Sequence, residues 1–185
     1  MTSENHALFK NGRGNGGREI KNMLENEFTF LIKKLPEDLE KHPKKEIRQG
    51  YYSDLPSPLR IRNESGKFTL TKKIPIKDGD ASRYEETELF IKKEEFELIW
   101  PVCKKSLDKT RYYYPIDNLT AEIDIYHGKL EGLVTVEVEF PNEAIRESFI
   151  PPEWFGFDIT QEKWSANSVL ADLTYEEVVK LIEKI

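Results

Sequence analysis

The stretch Leu133-Val134-Thr135-Val136-Glu137-Val138-Glu139-Phe140 alternates charge with β-branched or aromatic side chains. In an extended chain Glu137 and Glu139 fall on one face and Val136, Val138 and Phe140 on the other. A helix would scatter both sets, so the period of two predicts a strand. The same reading extends outward to Leu24–Lys34, Ile47–Tyr52, Leu59–Asn63, Phe68–Ile74, Tyr84–Ile91, Leu107–Tyr114 and Thr120–Tyr126, which makes eight strands with Leu133–Phe140. Turn signals at Asp54-Leu55-Pro56-Ser57-Pro58, Glu64-Ser65-Gly66, Lys77-Asp78-Gly79-Asp80 and His127-Gly128-Lys129 keep the connections short, which predicts antiparallel neighbours. Helical patterns occupy Glu37–His42, Lys93–Trp100, Asn142–Ser148 and Thr174–Ile185, the last opened by a Thr174/Glu177 capping box. The fold class is therefore mostly β with an α+β admixture, its helices packed outside the strands.

The chain has 185 residues, enough for one domain. Residues 1–22 are polar and glycine-rich and read as a flexible tail, leaving 23–185 as the folded domain. Gly12, Gly14 and Gly17 match a dinucleotide-loop spacing, but no strand precedes them, so a linker is the better reading. With 28 Lys and Arg against 34 Asp and Glu, the net charge of -6 argues against nucleic acid and anionic membranes as partners. No apolar run approaches a membrane span, and Ala7-Leu8-Phe9 is too short for an export signal. The single Cys103 reads as a reduced thiol, which places the protein in the cytoplasm.

The charges come in like-signed pairs two residues apart: Glu25 with Glu27, Arg60 with Arg62, Lys109 with Arg111, Glu122 with Asp124, and Glu137 with Glu139. Such neighbours lie about 7 Å apart on one strand face and repel each other. A surface built for solubility mixes signs instead. Acidic strands facing basic strands across an enclosed lumen would account for the set, and eight antiparallel strands suffice to close a barrel. Burying so many ions is costly unless they pair, hold metal or hold a charged ligand. Carboxylates suit hard divalent cations such as Mg²⁺ or Mn²⁺, and Arg and Lys suit phosphate oxygens.

The residues also carry a family resemblance. Glu25-Asn26-Glu27-Phe28-Thr29 resembles the ExExK signature of the CYTH superfamily, the triphosphate tunnel metalloenzymes. Leu59-Arg60-Ile61-Arg62, Leu70-Thr71-Lys72-Lys73, Arg83-Tyr84-Glu85-Glu86-Thr87-Glu88, Lys109-Thr110-Arg111, Glu122-Ile123-Asp124, Glu137-Val138-Glu139 and Glu153-Trp154-Phe155-Gly156 follow in the family's order. The stretches Trp154–Thr160 and Asn167–Ala171 are similar to the short bacterial branch, where inorganic triphosphatase activity is common. The resemblance implies an eight-stranded antiparallel tunnel and hydrolysis of a triphosphate by metal-activated water. It assigns Glu25, Glu27, Glu137 and Glu139 to catalysis and, with Glu86, Glu88, Glu122 and Asp124, to Mg²⁺ or Mn²⁺ binding. Arg60, Arg62, Lys73, Lys109 and Arg111 would clamp phosphates, and Arg83 would join them if a bulge turned it inward. The partner implied is a small molecule bearing a triphosphate, and a homodimer is admitted as the assembly.

Two readings stand beside hydrolysis. A class IV-type adenylyl cyclase would use the same tunnel on ATP, although that branch carries a His-Phe pair where this chain has Arg18-Glu19-Ile20-Lys21. A non-catalytic triphosphate or nucleotide binder is suggested by Thr29, which stands in the place of the motif Lys. Lys33 lies on the same strand face as Thr29, about 13 Å further along.

Overall fold

The computed structural model describes residues 12–13, 19–53 and 58–185. The glycine-rich reading and most of the expected tail fall outside them. Among the described residues there are ten strands: β1 (Gly12–Arg13), β2 (Glu19–Ile32), β3 (Lys44–Tyr51), β4 (Arg60–Glu64), β5 (Lys67–Pro75), β6 (Arg83–Phe90), β7 (Lys105–Ile116), β8 (Leu119–Tyr126), β9 (Val134–Glu139) and β10 (Phe155–Asp158). Four α-helices join them: α1 (Lys93–Ile99), α2 (Glu143–Glu147), α3 (Asn167–Leu170) and α4 (Tyr175–Ile182). Among the described residues no helix is long and apolar enough to cross a membrane.

Strands β2 through β9 form a closed antiparallel barrel in the order β2-β6-β5-β4-β3-β7-β8-β9, with β9 returning to β2. Closure depends on the length of β2. Its first half pairs with β6, from Ile20 opposite Leu89 to Asn26 opposite Arg83. Its second half pairs with β9, from Glu27 opposite Glu139 to Leu31 opposite Thr135. The strand begins at Glu19, so it includes residues 19–22 that the sequence reading gave to the tail. Residues 20–22 pair with β6, and Lys21 lies over the Phe90 ring.

The expected helix at Glu37–His42 is a single 3-10 turn, Leu39–Lys41, whose first residue is buried. The strand β10, absent from the sequence reading, pairs with β2 at Ile32 and Phe30 with a register shift between. Helix α4 is capped as predicted, with Thr174 accepting from the Glu177 amide and Glu177 accepting from the Thr174 amide.

Two apolar clusters position the tunnel. One covers the outside of the wall, where Phe30, Ile123, Val136, Val138 and Phe140 pack with Leu39 and Phe155. The other fills one end of the barrel from within. Leu31, Leu107, Tyr126 and Leu133 continue the same lumen-facing rows that carry Glu25, Lys109, Asp124 and Glu137, and they close against Ile159, Trp164, Leu170 and Val178 from the C-terminal segment. Each row thus grades from charge to hydrocarbon along the barrel.

Candidate active site

Because side chains alternate along a strand, the alternating charges of β2, β4, β5, β6, β7 and β9 converge on the lumen. They line a cavity of about 320 Å³. Glu25, Glu27, Glu86, Glu137 and Glu139 supply carboxylates, and Arg60, Arg62, Lys73 and Arg111 supply cations. Thr29, Thr71 and Tyr84 complete the strand contribution, while Thr160, Glu162, Lys163, Ser165 and Asn167 come from the C-terminal segment.

Most lining cations are engaged by carboxylates. Lys73 Nζ lies 2.5 Å from Glu25 Oε2 and 2.8 Å from Glu27 Oε1. Arg111 spreads its fork over three acids: Nε reaches Asp124 Oδ1 at 2.7 Å, Nη2 reaches Glu137 Oε2 at 2.5 Å, and Nη1 pairs with Glu122. Arg60 pairs with Glu86 at 3.4 Å. Arg62 is different: its Nε donates to the Gln49 amide oxygen at 3.3 Å, and its nearest charges include the like-signed Arg60 and Arg111. Burial, then those two guanidinium groups, lower its pKa. A guanidinium so placed is ready for an anion that the protein itself does not provide.

The acidic side is over-subscribed in the same way. Burial, followed by Glu122, Glu25, Glu27 and Glu137, pushes the Glu139 carboxyl up to about 8. Burial also raises Glu25, Glu27 and Glu122. Burial alone would raise Glu137 too, but Arg111, Lys109 and Lys73 hold it well below the ordinary carboxylate value. Among the described residues no three acidic, His or Cys side chains already stand as a set of metal ligands, because Lys73 and Arg111 are interposed. The donor chemistry nevertheless fits a hard divalent cation: several carboxylates crowd around Glu139, which among the described residues has no cation paired with it. Arg60 Nε and Thr71 Oγ1 are buried in the wall without a hydrogen-bond partner, which leaves polar capacity for a ligand.

The remaining sequence-predicted residues lie off the cavity lining. Lys109 and Asp124 are buried beside it with no exposure of either side chain, paired at 2.5 Å. Glu122 is taken by Arg111, and Glu88 by Lys67 at 3.3 Å. Arg83 faces outward, where it meets Asp80 at 3.3 Å and Glu143 at 3.6 Å. The register between β2 and β6 runs unbroken through Glu25–Tyr84 and Asn26–Arg83. No bulge turns Arg83 inward, and the neighbouring Tyr84 takes the lumen position, its ring 4.7 Å from Lys73 Nζ. The parity of Tyr84 with Glu86 carries that signal in the sequence. The C-terminal lining was not read from the sequence because it follows no strand period. Tyr112, Tyr113, Tyr114, Trp100, Trp154 and Trp164 do not line the cavity.

Comparison with known proteins agrees with this geometry. The CYTH domain model matches residues 18–150. An inorganic triphosphatase from Nitrosomonas europaea is 37% identical over 154 residues, covering 80% of this chain and 97% of the relative. An inorganic triphosphatase from Acetivibrio thermocellus is 32% identical over 131 residues, covering 70% of this chain and 81% of the relative. The crystal structure of an inorganic triphosphatase superposes with a TM-score of 0.60 at 32% identity, covering 80% of this chain and 93% of that one. With the tunnel, its paired charges and these relatives together, the chain belongs to the CYTH family of triphosphate tunnel metalloenzymes.

Proposed function

We propose that this protein hydrolyses inorganic triphosphate inside the barrel, with Mg²⁺ or Mn²⁺ as cofactor. The observation that carries the reading is the lumen itself, where Arg62 has, among the described residues, no carboxylate partner, and where burial together with a crowd of carboxylates raises Glu139 to about 8. A polyanion accompanied by a divalent cation satisfies both walls at once. The inorganic triphosphatases at 37% and 32% identity support the same substrate.

Glu25, Glu27, Glu137 and Glu139 would hold the cation, with Glu86 on the neighbouring wall. When bound, the cation neutralises phosphate oxygens and acidifies the attacking water. Arg60, Arg62, Lys73 and Arg111 bind and orient the phosphates and offset the charge that develops as the phosphoanhydride opens. Lys73 and Arg111 are held by acids, so ligand binding exchanges internal ion pairs for external ones of the same kind. Glu88, Glu122, Asp124 and Lys109 support these groups from behind by fixing Arg111 and the strand positions. The protein acts in the cytoplasm, on a small molecule.

The test is phosphate release from tripolyphosphate, ATP and thiamine triphosphate with Mg²⁺, Mn²⁺ and Ca²⁺, with the products identified. Tripolyphosphate turned over faster than ATP is the expected result. Turnover of ATP that equals or exceeds it, or cyclic AMP among the products, would overturn the substrate assignment.

A further inference from the structure

The wall position opposite Glu137 holds Thr29, a hydroxyl in the midst of carboxylates. Its strand neighbours Glu25 and Glu27 share one lysine, Lys73, so this part of the tunnel is short of positive charge for a polyanion. Lys33 cannot supply it: β2 ends at Ile32, and Lys33 is exposed beyond it. Arg83 is turned outward to Asp80 and Glu143. Lys163 does line the same cavity as Thr29.

The position of Lys163 is fixed from both sides. Upstream, the segment is tied to Thr29 itself: the Ile159 amide donates to the Thr29 carbonyl at 2.8 Å, and the Thr29 amide donates to Thr160 Oγ1 at 3.0 Å. Downstream, Asn167 Oδ1 accepts from Tyr126 OH at 2.9 Å and from Lys109 Nζ at 3.3 Å. Between these anchors the Trp164 ring is buried in the apolar plug. The residue just before that ring is Lys163, with a long stem, an exposed head and, among the described residues, no carboxylate holding it.

We infer that Lys163 is a substrate-binding residue that delivers, from the C-terminal segment, the phosphate-binding cation missing at position 29. This rests on the triphosphatase reading of the site. Lys163 contacts a phosphate oxygen of the bound triphosphate in ground and transition states alike, so its loss weakens binding and leaves the chemical step unaffected. An ammonium-to-phosphate hydrogen bond is roughly twice as strong as a neutral one, which sets the effect at about tenfold.

The experiment uses the full chain and four variants, Lys163→Ala, Lys163→Arg, Thr29→Lys and the double variant Thr29→Lys/Lys163→Ala. Each is measured for KM and kcat on tripolyphosphate with Mg²⁺, and for tripolyphosphate binding by calorimetry in a chelator. Lys163→Ala should raise Kd and KM about tenfold with kcat unchanged. Lys163→Arg should keep wild-type binding, and Thr29→Lys should restore it in the Lys163→Ala background. An unchanged Kd in Lys163→Ala would overturn the inference. So would equal tightening by Thr29→Lys in both backgrounds, because independent effects mean the two positions do not serve one phosphate. A wild type that neither binds tripolyphosphate in the chelator nor turns it over with Mg²⁺ would overturn the triphosphatase reading and this inference together, whereas an active wild type with an indifferent Lys163→Ala would overturn the inference alone.

Discussion

The Lys109 ammonium donates to Asp124 Oδ2 at 2.5 Å, and neither side chain has any exposure to solvent. Burial, with the nearby Arg111 and Arg62, lowers the Lys109 pKa against the attraction of Asp124. Asp124 also receives Arg111 Nε and Nη2 at 2.7 and 2.6 Å, so one carboxylate holds two buried cations. Asp124→Asn would take the carboxylate from Lys109 and leave Arg111 to Glu122 and Glu137 alone, and should destabilise the fold by about 3–5 kcal/mol, the cost of breaking a buried ion pair. Lys109→Met leaves Asp124 with Arg111 and should cost less. Urea unfolding of the two variants checks the order, and a Lys109→Met less stable than Asp124→Asn contradicts it.

Much of the barrel was legible because its rows obey the period of two. Glu137 and Glu139 against Val136 and Val138 read as one strand with two faces, and the structure places them so. Less legible was where each lumen row changes character. Leu31 follows Glu25, Glu27 and Thr29 at the same parity, and nothing local says that it plugs the barrel, since its partners Ile159 and Trp164 lie far along the chain. At Arg83-Tyr84-Glu85-Glu86 both parities carry charge, so placing Glu86 inward left Arg83 on the wrong parity unless a bulge intervened. The continuous pairing to β2 decides it for Tyr84 and Glu86. The lining from Thr160 to Asn167 follows neither period, because side chains fix it at both ends: Thr160 Oγ1 accepts from the Thr29 amide, and Asn167 Oδ1 accepts from Tyr126 and Lys109.

Glu139 and Glu137 face the same cavity but differ in what else they hold, which separates their variants. Glu137 receives Arg111 Nη2, so Glu137→Gln should lose both turnover and some stability. Glu139 is crowded by acids, so Glu139→Gln should lose turnover while the thermal midpoint holds or rises. Residues behind metal ligands already cost about 10–100-fold when removed, so at least about 100-fold is expected for either variant. Phosphate release with Mg²⁺ and a thermal melt check this. Near wild-type turnover of Glu139→Gln at low Mg²⁺ would remove Glu139 from the cation site.

The same crowding gives the cation-free protein a pH dependence with a definite sign. Glu139 is raised from 4.5 to about 8 in the fold, and Glu25, Glu27 and Glu122 are raised as well. Between those two values the folded protein holds a proton that the unfolded chain has released. The stability contributed is therefore complete below about pH 4.5 and is lost as pH rises through 8. Glu139 stays open to solvent on one side although the protein packed around it desolvates it on the other, so water screens the effect and keeps it small. In a chelator the wild-type melting temperature should fall from pH 6 to 8.5 more steeply than that of Glu139→Gln. Parallel curves would mean that Glu139 does not carry the shift.

Gly156 lies in β10, where a Cβ would stand 2.9 Å from the Leu31 carbonyl oxygen and 3.0 Å from its carbon. Both are backbone atoms of β2, held in the barrel by pairing with β9, so they cannot yield as a flexible side chain would. Gly156→Ala should push β10 off β2 and cost about 1–3 kcal/mol, as overpacking does. Function should suffer by the same displacement. Three residues further on, Ile159 bonds to the Thr29 carbonyl, and Thr160 then lines the cavity. Lifting β10 loosens the segment that carries Lys163 and Asn167, so KM for tripolyphosphate should rise in step with the fall in melting temperature. A Gly156→Ala variant with lowered stability and an unaltered KM would show that the C-terminal segment holds its place over the tunnel without β10.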